Sequence, residues 1–220
     1  MGGTIGDLLP FAIGIALSPV PIIAVVLMLL APDARNTGVT FAAGWSVGIV
    51  AVAAITSAIS AAGGASATDG PSTGSAVARL VVGLLLLALA GRQWQSRSSQ
   101  SEPKWLASID KLTPARGGLI GFGLAAVNPK NLLLCIAAGI AVGSAGIGLG
   151  PSIVALAVFT VLAAASVVVP VLGFLLAADR LRRPLDRFRE WIQASSAQVT
   201  FALLLVFGTL LIGKGIGGLT

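Results

Sequence analysis

Hydrophobic residues fill six long stretches of this chain, at approximately 8–30, 38–61, 76–92, 117–142, 152–178 and 198–217. Within each, apolar side chains occupy every face of a helix rather than one stripe. A helix that is apolar all round is buried in a large core or in a bilayer, and about 20 such residues cross roughly 30 Å of hydrocarbon. The pattern therefore predicts six transmembrane helices. The third stretch is short at 17 residues, so its ends are expected to run into the flanking sequence. A β-barrel would need alternating strands of about ten residues, and that period is missing.

Polar residues gather between the stretches. "APDARNTG" is a tight turn, and "AAGGASATDGPSTGS" is a small-residue loop with no basic residue before Arg79. "RQWQSRSSQSEPKWLASIDKLTPAR" is long and charged, "GSAGIGLGPS" short and uncharged, and "DRLRRPLDRFREW" strongly basic. The first, third and fifth connections hold Arg35, then Arg92, Arg97, Lys104, Lys111 and Arg116, then Arg180, Arg182, Arg183, Arg187 and Arg189. These are 11 of the 14 basic residues. With six spans those loops share one side, which the positive-inside rule makes cytoplasmic. The expectation is a multi-pass protein of the inner (plasma) membrane with both termini outside. Trp94, Trp105 and Trp191 fall at the same boundary, where indole rings prefer to sit. In the last basic connection Leu181, Leu185, Phe188, Trp191 and Ile192 recur at helical spacing against arginines. Such a segment either lies on an anionic membrane surface or is a solvated loop that fixes orientation; "KWLASIDKL" repeats the pattern more weakly.

Composition then acts mainly by exclusion. Of 220 residues, 56% are hydrophobic and 10% charged, against roughly 25% charged in a soluble domain. There is no histidine or tyrosine, and Cys135 is the single cysteine. Intrachain disulfides, thiolate metal clusters and histidine chemistry are excluded. No cofactor and no metal are expected, and acid–base catalysis has few candidates, so the chain reads as a non-enzyme. The net charge of +6 is a topology signal rather than a nucleic-acid surface, because the basic residues are divided among separate loops. The N-terminus has no basic n-region, so the first apolar segment is expected to stay in the mature protein.

Two of the spans are interrupted at matching places. "ALSPVPIIAVVL" (16–27) aligns with "AVNPKNLLLCIA" (126–137), setting Pro19 against Pro129 at an offset of 110, half the chain length. Ser18 and Asn128, both small and polar, precede those prolines. Spans one and four cross the membrane in opposite senses, which predicts two inverted three-helix repeats in one transmembrane domain, 1–220. Repeat one covers approximately 1–92, a cytoplasmic linker 93–116 and repeat two 117–220. Interrupted helices at corresponding positions of such repeats point to a transporter's binding site.

Each proline removes a backbone donor and breaks the helical ladder. In lipid the freed groups must be met by protein or water, and Ser18, Asn128 and Asn131 are placed to help. Lys130 lies about halfway along span four, where insertion scales put a lysine at roughly +2.5 to +3.5 kcal/mol. No aspartate or glutamate lies near mid-membrane: Asp7 and Asp69 are on the outer side and the other six acids in the cytoplasmic connections. One reading is a neutral lysine bonded to carbonyls freed at Pro19. The sharper reading is an anion-attracting site built by Lys130 and the two half-helix starts, whose dipoles present positive ends. Ser18, Pro19, Pro21, Asn128, Pro129, Lys130 and Asn131 are its candidate substrate-binding residues. A cation would not be drawn there, and soft or carboxylate ligands for a metal are missing. Arg79 and Lys214, near the outer ends of spans three and six, read as snorkelling side chains or as guides at an outer gate. Gly44/Gly48, Gly117/Gly121 and Gly139/Gly143 have the small-xxx-small spacing of close helix packing, within one subunit or in a homo-oligomer.

The proline-containing break "SPVPI" and the "NPKN" element, in a chain with six spans, resemble the lysine exporter (LysE) superfamily. Within it the chain is most similar to the peptidoglycolipid-addressing (GAP) family of mycobacteria and related actinobacteria, also called sulfolipid-addressing, and the likeness covers most of the chain. Amino-acid exporters of the superfamily carry Pro-Gly-Pro in helix one, whereas Ser18-Pro19-Val20-Pro21 stands here, which favours the lipid-addressing branch. The resemblance implies export of an anionic surface lipid, of glycolipid or sulfolipid type, across the inner membrane by alternating access. Its partners would be membrane lipids, the anionic substrate and a coupling ion, H+ or Na+, since no phosphate-binding Gly-Lys-Ser/Thr loop exists. Two other readings stay open: export of amino acids or small metabolites, and a non-transporting scaffold subunit of a lipid-export machine.

Overall fold

The positions of two prolines organise the fold. Proline disfavours the helical region for the residue before it, and Ser18 (ψ 113°) and Asn128 (ψ 119°) are both extended. Helix α1 (Gly2–Ala16) therefore stops short of Pro19, and α2 (Pro19–Leu30) restarts on it. In the same way α5 (Pro114–Ala126) gives way to α6 (Pro129–Gly143). Proline suits the first helical position because its fixed φ is already helical and its missing N–H would have been unpaired there. The chain bends by 54° at the first break and 64° at the second.

The other helices are α3 (Ala34–Ala62), α4 (Thr73–Gln95) and α7 (Leu149–Ile216). A single non-helical residue, Ala177 (φ −152°, ψ 56°), interrupts α7. The computed structural model describes residues 2–63, 73–95 and 113–219, without the side chains of 179–197. The expectations for Asp69, for the linker carrying Arg97, Lys104, Trp105 and Lys111, and for the amphipathic side chains around Trp191 lie outside the described residues. Among those described the protein is all-helical. Four helical segments are long and apolar enough to cross a membrane: α3, α4, Leu149–Ala178 and Gln198–Ile216. The number rises to six when each bent pair counts as one span. The third predicted stretch does extend at both ends, into Thr73–Gln95. Between α6 and α7 the chain turns on Gly146 (φ 61°) and Gly148 (φ 78°), a region open to glycine at no steric cost.

Burial separates the two halves of each broken pair. Nine of the 12 residues of α2 and 11 of the 15 of α6 are buried, against five of 15 in α1 and three of 13 in α5. Irregular backbone at membrane depth is tolerated only inside protein, and the segments following the breaks have that setting. The long helices instead bury about a third of their residues. They turn side chains such as Ile55, Ile59, Leu84 and Val161 outward at 59–70% exposure. In water such a surface would aggregate; against acyl chains it is matched.

Glycines allow the helices to approach. Gly44 and Gly48 of α3 lie against Gly118, Phe122 and Ala125 of α5, while Gly117 and Gly121 of α5 lie against Thr37, Thr40, Phe41 and Trp45 of α3. Farther along, Gly139 and Gly143 of α6 meet Ala53, Thr56 and Ser57 of the same α3. All three small-xxx-small pairs thus serve packing within the chain. The Thr40 hydroxyl donates to the Pro114 carbonyl at 2.7 Å, tying α3 to the start of α5. Gly83 and Gly208 form an equivalent seam between α4 and α7.

Candidate functional site

At the second break two asparagines take up part of the freed backbone, while Asn131 Oδ1 stays buried without a partner among the described residues. The N–H groups of Val127 and Asn128 both donate to the Gly123 carbonyl, at 2.8 and 3.2 Å. A continuous helix would have paired Asn128 with the Leu124 carbonyl instead. That carbonyl accepts from Asn131 Nδ2 at 3.0 Å. Asn128 Oδ1 accepts the Lys130 N–H at 3.2 Å, an N-cap for α6, and the Asn128 carbonyl takes the Leu132 N–H at 2.9 Å. Asn131→Leu is expected to leave the Leu124 carbonyl unpaired, at a cost of about 1–3 kcal/mol. Thermal unfolding in detergent against wild type measures it, and Asn131→Asp, which cannot donate, is expected to lose as much.

The first break is not capped in the same way. Ser18 is buried, and its hydroxyl makes no capping bond to α2. An N-cap oxygen accepts from the second or third helical amide, and Pro21 occupies the third position of α2 without an N–H. The two half-helix starts differ: among its first three residues α2 offers the amide of Val20 alone, and α6 carries more of the polar side chains. Pro19 and Pro21 are buried, Asn128 is half-buried and Pro129 exposed.

Lys130 is 6% exposed, and its Nζ is buried with no hydrogen-bond partner among the described residues. The described carboxylates are engaged elsewhere. Asp7 pairs with Lys214, and Asp33 accepts from Asn36 Nδ2 at 2.9 Å. Among the described residues Lys130 has neither a carboxylate partner nor a bond to the carbonyls freed at Pro19.

The helix before the first break packs against the helix after the second. Asp7 and Phe11 of α1 line one cleft with Ala137 and Ala141 of α6, and Gly14 packs on Leu134. Rising numbers on α6 thus accompany falling numbers on α1, the signature of antiparallel packing. Helices α1 and α6 pack on each other up to the Gly14–Leu134 contact, four residues from each break.

Arg79 and Lys214 hold partners rather than snorkelling freely. Arg79 Nη2 donates to Ser144 Oγ at 2.7 Å, and Lys214 forms the ion pair with Asp7. Trp45 of α3 is fully buried with its indole Nε1–H unpartnered among the described residues. The sequence reading passes over it, although a tryptophan in mid-span, away from the interface, is the signal that marks it.

No curated protein and no solved structure matches this chain. One family model does, described as Sap, sulfolipid-1-addressing protein, and it spans residues 8–217. The match takes in both proline breaks, Lys130 and all or most of each segment able to cross a membrane. This multi-pass membrane protein belongs to the Sap, sulfolipid-1-addressing protein, family.

Proposed function

We propose that this protein is an inner-membrane exporter that moves an anionic surface lipid, of glycolipid or sulfolipid type, or a related amphiphile, by alternating access. The observation that carries the reading is the unpaired Lys130 amine, buried immediately after the second proline break. A charge at that depth is costly, and such groups mark substrate paths. The family's description supplies the lipid. The head group is held by Lys130 and the start of α6, with Asn128 and Asn131 shaping the break and Ser18, Pro19 and Pro21 facing it from α1 and α2. An ion gradient, H+ or Na+, or the gradient of the substrate itself drives the cycle.

An inverted repeat of the LysE superfamily type is part of the proposal. Several features support it: both pairs break before a proline, and both bury the half that follows. In addition α5 and α6 pack on α3, while α1 and α2 pack on α7, so each broken pair leans on a helix of the other half. Rocking of one repeat against the other would alternate access.

The test is flux in liposomes with an anionic and a neutral lipid of equal chain length. Wild type is expected to move the anionic one faster, and Lys130→Glu to reverse that order. Equal movement of both lipids by both proteins would reject the anion site. Efflux of charged amino acids in place of lipid would favour the small-metabolite reading. Lipid delivery in cells that survives Lys130→Glu but fails on changes to the cytoplasmic connections would favour the scaffold.

A further inference from the structure

A second group of charges lies apart from the breaks, on the side expected to face outward. A cleft of about 340 Å³ is lined by Asp7 and Phe11 of α1, Arg79 of α4, Ala137 of α6, and Leu211 and Lys214 of α7. At about 30 Å³ per water, it holds roughly ten water molecules, the scale of a polar head group. Its charged lining carries two cations and one carboxylate. We propose that this cleft is a second anion site, an outer station for a sulfate- or phosphate-class oxyanion, with Asp7 as the built-in competitor that the ligand displaces.

The chemistry follows from how weakly the charges are satisfied. Lys214 and Asp7 are 39% and 56% exposed, and an ion pair so open to solvent contributes a factor of about five at most. An oxyanion can therefore take Lys214 from Asp7 with little loss. Arg79 uses one nitrogen on Ser144 Oγ and keeps further N–H donors of its planar fork. Asp7 also acts electrostatically on Arg79, so one carboxylate compensates both cations while the cleft is empty. Phe11, Leu211 and Ala137 give the same cleft an apolar wall on which the first carbons behind a head group can rest.

Helix α6 connects this cleft to the break. Lys130 opens the helix, while Ala137 and Ala141 reach the cleft, seven and eleven residues on. At 1.5 Å per residue the two stations are roughly 10–16 Å apart. An anion leaving Lys130 outward along α6 would meet Arg79 and Lys214 next. The station's role as an exit rests on the export reading above; its ability to bind an oxyanion does not.

The experiment is thermal unfolding of the full chain in neutral-lipid nanodiscs, titrated with inorganic sulfate against chloride at constant ionic strength. A ligand that binds the folded state raises the midpoint in proportion to its occupancy. Asp7→Asn is expected to tighten sulfate by about two- to fivefold, a gain that a damaged fold would not produce. Lys214→Gln is expected to weaken it about two- to fivefold and the half-buried Arg79→Gln about tenfold, and both losses are expected to persist in a Lys130→Ala background. Sulfate affinity that ignores both Asp7→Asn and Lys214→Gln, or that disappears with Lys130→Ala alone, would overturn the proposal. If transport proves indifferent to Lys130 while sulfate still follows Asp7 and Lys214, the export reading falls and the outer station stands. A further arm places an anionic phospholipid in the discs. Competition with sulfate assigns the site to lipid head groups, and indifference assigns it to free anions; either result retains the oxyanion chemistry.

Discussion

Lys130→Met is expected to give a protein that is harder to unfold and no longer moves its anionic cargo. Methionine follows the path of the lysine chain and removes a charge for which no internal partner exists among the described residues. Insertion scales set the cost of a central lysine at about 2.5–3.5 kcal/mol, and its removal is expected to raise the unfolding midpoint in detergent or nanodiscs. The same change removes the attraction for an anion. Two unit charges 4 Å apart at an effective dielectric of 20 interact by about 4 kcal/mol, and at 1.4 kcal/mol per tenfold the loss in head-group affinity is roughly 10²–10³. Opposite signs in stability and flux are the mark of a residue kept for function. A purely structural lysine would lose both together. Lys130→Arg keeps the charge and is expected to retain part of the flux.

The second large effect is expected at the seam between α3 and α5. A Cβ on Gly121 would run into the Phe41 carbonyl and the Trp45 amide, and one on Gly44 into the Gly118 carbonyl. These obstacles are backbone, so no rotamer change relieves them. Overpacking of this kind costs about 1–3 kcal/mol and sometimes more, and Gly121→Leu is expected at or beyond the upper end. The readout is loss of monodisperse protein on size exclusion and a lowered unfolding midpoint. Gly91, with open space around its Cβ position, is the control: Gly91→Ala is expected to be neutral or slightly stabilising, since alanine favours helix. Equal damage from Gly91→Ala and Gly121→Leu would mean that the seam is not where the helices are fixed.

The sequence carried much of this organisation for identifiable reasons. The breaks at Pro19 and Pro129 are legible because proline restricts its predecessor whatever the tertiary context. The apolar stretches are legible because the bilayer demands length and uniformity. Lys130 is visible because a lone charge in an apolar run contrasts with everything near it. What did not show is pairing across space. Ser18 and Asn128 look equivalent in the alignment, yet Asn128 caps the Lys130 amide while Ser18 leaves the matching amide of Val20 uncapped. The contact of Lys214 with Asp7 joins residues 207 positions apart, and hydropathy says nothing about such a distance. Gly44, Gly117 and Gly139 announce close approach, but only the fold says that α3 is the shared partner of α5 and α6.

A positively polarised pocket between the two breaks, as proposed, would govern how a thiol at the first break reacts. In a Cys135→Ala background, Ser18→Cys places a single thiol on the first break, one helical turn from the Gly14–Leu134 contact. The rates to compare are those of a negatively and a positively charged methanethiosulfonate reagent of similar size, with Lys130 present and with Lys130→Glu. Faster reaction with the anionic reagent, reversed by Lys130→Glu, is expected if the pocket is positive. A thiol that no reagent reaches from either side of the membrane, or a preference indifferent to the charge at position 130, would contradict it.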